Sequence, residues 1–270
     1  MLEDEISIVP EGTNFSWLVS RLFDDGKIPR QLFNRLSRFE GDSHVPVTLM
    51  PAARVSNVPA AVGTALTPHY ICDLYPLSRP QCLPEAVHCA KLKGDRNRGR
   101  LLSKIRQTVG NRIDGDNLWF LGTSFSALVS SLAFFIPVIQ SHNQDNEFGP
   151  GIYTTSSFEY ALDYAGNNGV VMAFQAPDLR DINTWVPSLD EWNQLVASWL
   201  HLRLAIIEKP LPDDNRQADL IRGPISQRQI EATRYNRLPV QSTVDQLVAV
   251  SYSGCAALAK SLLMIIYIEP

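Results

Sequence analysis

Two tyrosines, Tyr153 and Tyr164, stand eleven positions apart in residues 148–165, Phe-Gly-Pro-Gly-Ile-Tyr-Thr-Thr-Ser-Ser-Phe-Glu-Tyr-Ala-Leu-Asp-Tyr-Ala. The first ends a turn flanked by Gly149 and Gly151, and the second falls late in a short helical pattern. Rings placed on a turn and on the helix after it can face each other across a flat guest. Stacking of that kind is worth roughly 1–3 kcal/mol per base in nucleic-acid binders. Gly149 and Gly151 lack the Cβ that would hold a guest away from the backbone. Gly122 and Thr123 follow one apolar run, Leu118-Trp119-Phe120-Leu121, and Gln246 heads another, Leu247-Val248-Ala249-Val250. His142 and Glu147 bring an imidazole and a carboxylate to the loop before the glycine turn.

The elements that must position these groups are legible as patterns. Ser156 and Glu159 have the S-x-x-E spacing of a capping box, which predicts a helix ending at Gly166 with Tyr160 and Tyr164 one turn apart on one face. Tyr160 reads as a packing residue on that helix, and Ser156 and Ser157 read as caps rather than nucleophiles. Short strands are predicted at Leu118–Leu121, Val170–Phe174, Gln246–Val250 and Leu263–Ile268, with Leu220-Ile221 leading into a turn at Gly223-Pro224. Helical patterns run from Ser126 to about Ile139, from a second capping box at Ser188 and Glu191, and from Ser253. Strands this short and closely spaced do not make a regular chain of parallel βαβ units, so the fold class is α+β.

Upstream, residues 13–40 read as two helices, and Pro46 to Pro84 holds seven of the 18 prolines and reads as extended. A basic helix is predicted from Gly99 to Gly110, with Leu101, Leu102, Ile105 and Val109 on one side. The organisation inferred is a helical and proline-rich N-terminal region, 1–112, and a domain spanning 113–270.

Composition bounds the function classes. A chain of 270 residues with 45% hydrophobic and 19% charged residues has ample material for a core. A net charge of −4 gives no general attraction to nucleic acid or to an acidic membrane surface. Eight basic residues nevertheless fall between Lys91 and Arg112 against one acid, Asp95. That run reads first as a solvated face, with a docking surface for phosphates as the functional alternative. Met1-Leu2-Glu3-Asp4-Glu5 lacks the character of a secretory signal, and the apolar stretch Phe125–Ile139 is too short to span a bilayer. A cytoplasmic protein without membrane association is expected. Cys72, Cys82 and Cys89 with His69 and His88 could ligate zinc, but paired CxxC knuckles are missing. Scattered buried thiols are the preferred reading, and no metal is expected. The five tryptophans read as core or interface material.

Leu118–Thr123, Phe148–Ala165 and Asp245–Ser251 together resemble the three signature segments of ADP-ribosyltransferases of the diphtheria-toxin and poly(ADP-ribose) polymerase type. The resemblance covers roughly residues 113–270. It implies a split β-sheet core with flanking helices and NAD as the substrate. Within it, Leu121, Gly122 and Thr123 would line the nicotinamide site, with the Gly122 backbone reading the carboxamide. Gly149 and Gly151 would admit the ring, Tyr153 and Tyr164 would hold it, and Tyr153 and Gln246 would occupy catalytic positions. The acceptor would be a protein or nucleic acid.

Cleaving nicotinamide from NAD builds positive charge on the ribose, so a site needs aromatic faces, backbone groups for the carboxamide and a carboxylate near the ribose. Here the chain departs from the family. Leu121 stands where the family places histidine, Ala161 where it places a serine, and Gln246 where it places the catalytic glutamate. Losing the imidazole removes a hydrogen bond worth roughly 0.5–1.5 kcal/mol. Losing the carboxylate costs on the order of 3 kcal/mol, by analogy with one oxyanion-hole donor. His142 and Glu147 are the candidates to compensate, and Glu269 on the last strand is a weaker one. The resemblance therefore implies a mono-ADP-ribosyltransferase or NAD glycohydrolase with a Leu-Tyr-Gln triad. The alternative is a catalytically silent module of the same fold.

Overall fold

Five consecutive apolar residues, Val170–Phe174, fit a strand only if helices cover both of its faces, because successive side chains point to opposite sides. The computed structural model describes residues 67–70, 83–137 and 147–269, which all belong to the second of two units, Pro51–Pro270. Residues 13–40, most of the proline-rich segment, Cys72, Cys82 and His142 lie outside the described residues.

In chain order the elements are β1 (Thr67–Tyr70), β2 (Ala86–Lys93), α1 (Arg98–Val109), β3 (Leu118–Thr123), α2 (Phe125–Phe134), β4 (Ile152–Thr155), α3 (Phe158–Ala165) and β5 (Val170–Gln175). There follow β6 (Thr184–Trp185), α4 (Leu189–Trp199), α5 (Asp213–Gln217), β7 (Leu220–Gln227), α6 (Gln229–Tyr235), β8 (Val240–Ala249), α7 (Tyr252–Lys260) and β9 (Leu262–Glu269). Among the described residues the strands form one nine-stranded sheet in the order β1-β2-β9-β5-β3-β4-β8-β7-β6. The β2–β9 and β6–β7 pairs are parallel and the rest antiparallel. This is a mixed, α+β architecture.

Val170, Met172 and Phe174 bury with Trp119, Ile265 and Tyr267 on the face that also holds Leu128 and Leu132 of α2 and Leu258 of α7. Val171 and Ala173 bury with Phe120, Ile266 and Ile268 on the opposite face, with Leu101 and Ile105 of α1 and Leu162 of α3. Each fully buried aliphatic or phenyl side chain contributes about 1.5–3 kcal/mol, so this two-faced core is the rigid support for everything around it. Trp119, Trp185, Trp192 and Trp199 are all buried.

The sheet draws on residues upstream of 113, since β2 runs beside β9 from His88↔Met264 to Lys93↔Glu269. The α1 stripe Leu101, Ile105 and Val109 is buried, and Asn97 caps the helix by accepting the Arg100 N–H at 3.0 Å. Four of the eight basic residues in the run pair with acids. Lys91 meets Glu269 at 2.6 Å, Lys104 meets Asp95 at 2.9 Å, Arg106 meets Glu159 at 3.3 Å, and Arg98 meets Asp163. Exposed pairs of this kind contribute only about 0–1 kcal/mol each. They nevertheless cancel charge that the sequence displayed as a patch, and two of them tie α1 to α3.

Three local expectations are corrected. The helix after the glycine turn is capped by Ser157, which accepts the Tyr160 N–H at 3.2 Å, while Ser156 bonds the Asp245 backbone and Glu159 turns to Arg106. No turn forms at Gly223-Pro224. There β7 continues to Gln227 with a bulge between Pro224 and Ser226, where proline has no N–H for the ladder. The helix predicted to reach Ile139 ends at Phe134, with Phe135 in the left-handed region at φ 45°. The second capping box forms as predicted, Glu191 accepting the Ser188 N–H at 2.7 Å.

Candidate functional site

Strands β3 and β4 share a single register pair, Phe120↔Thr155. Beyond it β3 stays with β5 as far as Thr123↔Val170, while β4 runs along β8 from Thr155↔Gln246 to Ile152↔Ala249. A cleft of about 220 Å³ opens where they part. Phe120, Leu121, Gly122 and Thr123 of β3 line it with Tyr153, Thr154 and Thr155 of β4. Tyr160, Ala161 and Tyr164 of α3, Ile225 of β7, Gln246 of β8 and Glu147 complete the wall.

Gly122 explains how α3 reaches this place. A Cβ on Gly122 would sit 1.7 Å from the Ala161 carbonyl oxygen and 2.9 Å from the Ala165 nitrogen. The helix therefore lies against bare backbone, and that approach carries Tyr160 and Tyr164 to the rim. Tyr164 is 58% exposed, and its ring centroid lies 5.6 Å from that of Tyr160 with the planes at 42°. Tyr153 is held differently. Its hydroxyl accepts the Phe148 N–H at 2.9 Å and donates to the Gly149 carbonyl at 2.5 Å, so its ring is fixed as a wall by the turn that precedes it.

Of the residues singled out from the sequence, Leu121, Gly122, Thr123, Tyr153, Tyr164 and Gln246 all line the one cleft. Gly149 and Gly151 do not, and their expected role is corrected. Gly149 has φ +91° and a Cβ there would stand 2.5 Å from Trp199 Cζ2; a Cβ on Gly151 would stand 2.5 Å from Val248 Cγ1. Protein, not a guest, fills the space these glycines leave. Tyr160, read as packing, belongs to the cleft as well; its i, i+4 spacing from Tyr164 was the available signal.

The strongest electrostatic feature is Glu147, 4% exposed and the only charged side chain in the lining among the described residues. Its Oε2 accepts the Ser226 N–H at 2.8 Å and the Gln246 amide at 3.1 Å, and its Oε1 accepts the Gln229 amide at 2.6 Å. The β7 bulge turns the Ser226 N–H out of the ladder toward it. Gln229 follows Arg228, which enters α6 at φ 57°, and it also donates to Ser226 Oγ at 2.7 Å. Burial pushes the Glu147 carboxyl up to about 7, against the opposing pull of the hydrogen bonds from Ser226, Gln246 and Gln229. No sequence signal links Glu147 to Ser226 and Gln229, which lie 79 and 82 positions away.

Chemically, the cleft offers phenol rings, a strand edge released from its neighbour and one carboxylate poised near neutrality. Such a site suits a flat ring carrying a polar substituent and positive charge. Cys89 and Cys255 are buried in the core, and burial pushes the Cys89 thiol up to about 12. No helix among the described residues is long and apolar enough to cross a membrane. Compared with known proteins, the chain matches no protein-family model and no curated sequence.

Proposed function

We propose that this chain has an ADP-ribosyltransferase-like split sheet and cleaves the nicotinamide–ribose bond of NAD. Either it passes one ADP-ribose to an acceptor or it passes it to water. The observation that supports this reading is convergence. Three separate segments resembling the family's signatures, Leu121–Thr123, Tyr153 with Tyr164, and Gln246, supply walls of one cleft at the parting of β3 and β4. Pockets that enclose drug-sized ligands run to roughly 300–1,000 Å³. A volume of about 220 Å³ suits a nicotinamide ring with the rest of the dinucleotide lying outside. The β3 edge at Leu121–Thr123 provides backbone groups for the carboxamide, and the tyrosines provide faces for the ring.

Incubation with NAD, with free nicotinamide resolved by chromatography, tests the reading. Release that disappears in Tyr153→Ala and falls in Gln246→Ala supports it; no release at any pH, with or without acceptor proteins or nucleic acid, refutes turnover. Leu121, apolar where the family has an imidazole and packed partly against the core, favours a second reading in which the cleft binds NAD without cleaving it. Calorimetric titration separates the two: binding heat without nicotinamide release leaves the silent module.

A further inference from the structure

Position 246 carries no charge, yet the cleft holds a carboxylate. Gln246 points its amide nitrogen at Glu147 Oε2, 3.1 Å away, and the two side chains are each 4% exposed. Three donors from three places in the chain, the Ser226 N–H, Gln229 and Gln246, converge on the two carboxylate oxygens. Burying an ionisable carboxyl without a cationic partner is costly, and no lysine, arginine or histidine lines this cleft among the described residues. Three donors cannot be accounted for as a salt bridge; they fix the orientation of an acid at the wall of a ligand-sized space.

We propose that Glu147 is the catalytic carboxylate of this cleft, with Gln246, Gln229 and the Ser226 N–H as the groups that aim it. The assignment rests on NAD as the substrate. As the glycosidic bond breaks, its electron pair leaves with the pyridinium nitrogen and nicotinamide departs neutral. Positive charge grows on the ribosyl carbon, where the Glu147 carboxylate stabilises it. Water then bonds to that carbon and gives its proton to Glu147, which releases it to solvent. The products are ADP-ribose, nicotinamide and one proton. The pyridinium of bound NAD also favours the ionised form of Glu147. The other titratable groups facing the cleft are phenols, Tyr153 of β4 and Tyr160 and Tyr164 of α3, with none from β7 or β8.

Nicotinamide release is measured across pH 5 to 9 for the wild type, Glu147→Gln, Glu147→Asp and Gln246→Ala, with NAD binding followed by thermal shift. For the wild type, kcat/KM rises about tenfold per pH unit below about 7 and then levels off. Glu147→Gln binds NAD but loses on the order of 100-fold or more in kcat together with the pH limb. Glu147→Asp keeps the limb at reduced rate, and it decides the matter if Glu147→Gln does not fold. Gln246→Ala keeps partial turnover with a displaced limb, as a positioning residue should. A wild type that turns over while Glu147→Gln retains its rate and pH profile overturns the assignment and leaves the NAD reading standing. A wild type that releases no nicotinamide overturns both.

Discussion

Replacing Glu147 by glutamine should raise stability at alkaline pH, which is the opposite of what deletion of a thrice hydrogen-bonded group ordinarily does. The carboxyl titrates near 4.5 in the unfolded chain and at about 7 in the fold. Below pH 4.5 both states hold the proton and folding bears no cost. Between 4.5 and 7 the unfolded chain ionises while the folded chain does not, and stability falls with rising pH. Above 7 both are ionised and the full loss remains. At about 1.4 kcal/mol per pH unit of difference, the loss is roughly 3 kcal/mol. The glutamine escapes it, and its hydrogen bonds can be met. Its carbonyl takes the Oε2 position, keeping the Ser226 N–H and the Gln246 amide. Its NH₂ then faces Gln229, whose amide rotates to accept, while the Ser226 hydroxyl turns to donate. Urea unfolding of wild type and variant at matched pH values reads the difference directly. Glu147→Gln should match the wild type near pH 4.5 and exceed it by up to about 3 kcal/mol at pH 8. For a chain of this size each kcal/mol is about 2–4 °C in Tm. A stability difference that stays flat across this range would refute the reasoning.

Three other outcomes follow from the same geometry. Tyr164→Ala should leave the fold intact, because the ring is 58% exposed, yet weaken NAD binding by roughly 5- to 150-fold, the equivalent of 1–3 kcal/mol of stacking, as read by calorimetry. Gly122→Ala should destabilise by about 3 kcal/mol or more, since its Cβ meets backbone at 1.7 Å and overpacking that cannot relax lies at the severe end; denaturant unfolding checks it. Cys89 and Cys255, buried in the core, should resist a thiol reagent at pH 8 in the folded protein and react fully in denaturant, as mapped by mass spectrometry of the labelled peptides.

The strands were legible because short unbroken apolar runs such as Val170–Phe174 and Leu263–Ile268 mark strands buried on both faces whatever their partners, and Ser188 with Glu191 announced α4 through a local hydrogen-bond pattern. Cleft residues on β3, β4 and α3 were legible through a motif whose spacing is itself local. What sequence hid was non-local. The pairing of β2 with β9 joins residues more than 170 positions apart. Gly149 and Gly151 looked like openings for a ligand, but their missing Cβ atoms make room for Trp199 and Val248. A glycine reports that something approaches closely; it does not report what. The basic run looked like a patch because its partners, Glu159, Asp163 and Glu269, lie far along the chain.

Glu147 could be picked out as a candidate from its place before the glycine turn, but the groups that hold it could not. A single glutamate in a polar loop carries no pattern, and its importance comes from where the bulge in β7 and the left-handed turn at Arg228 send the Ser226 N–H and the Gln229 amide. Those irregularities also interrupt regular structure: one breaks a ladder register, and the other holds a non-glycine residue at positive φ, a cost of order 1–3 kcal/mol. Added to the roughly 3 kcal/mol lost by burying the carboxyl, they make this corner of the fold expensive to maintain. A chain selected for stability alone would have a straight β7 and an apolar residue at 147. The energetic strain and the cleft coincide, and stability of the sheet alone gives no physical reason for a carboxyl at 147; the proposed role in the cleft supplies one.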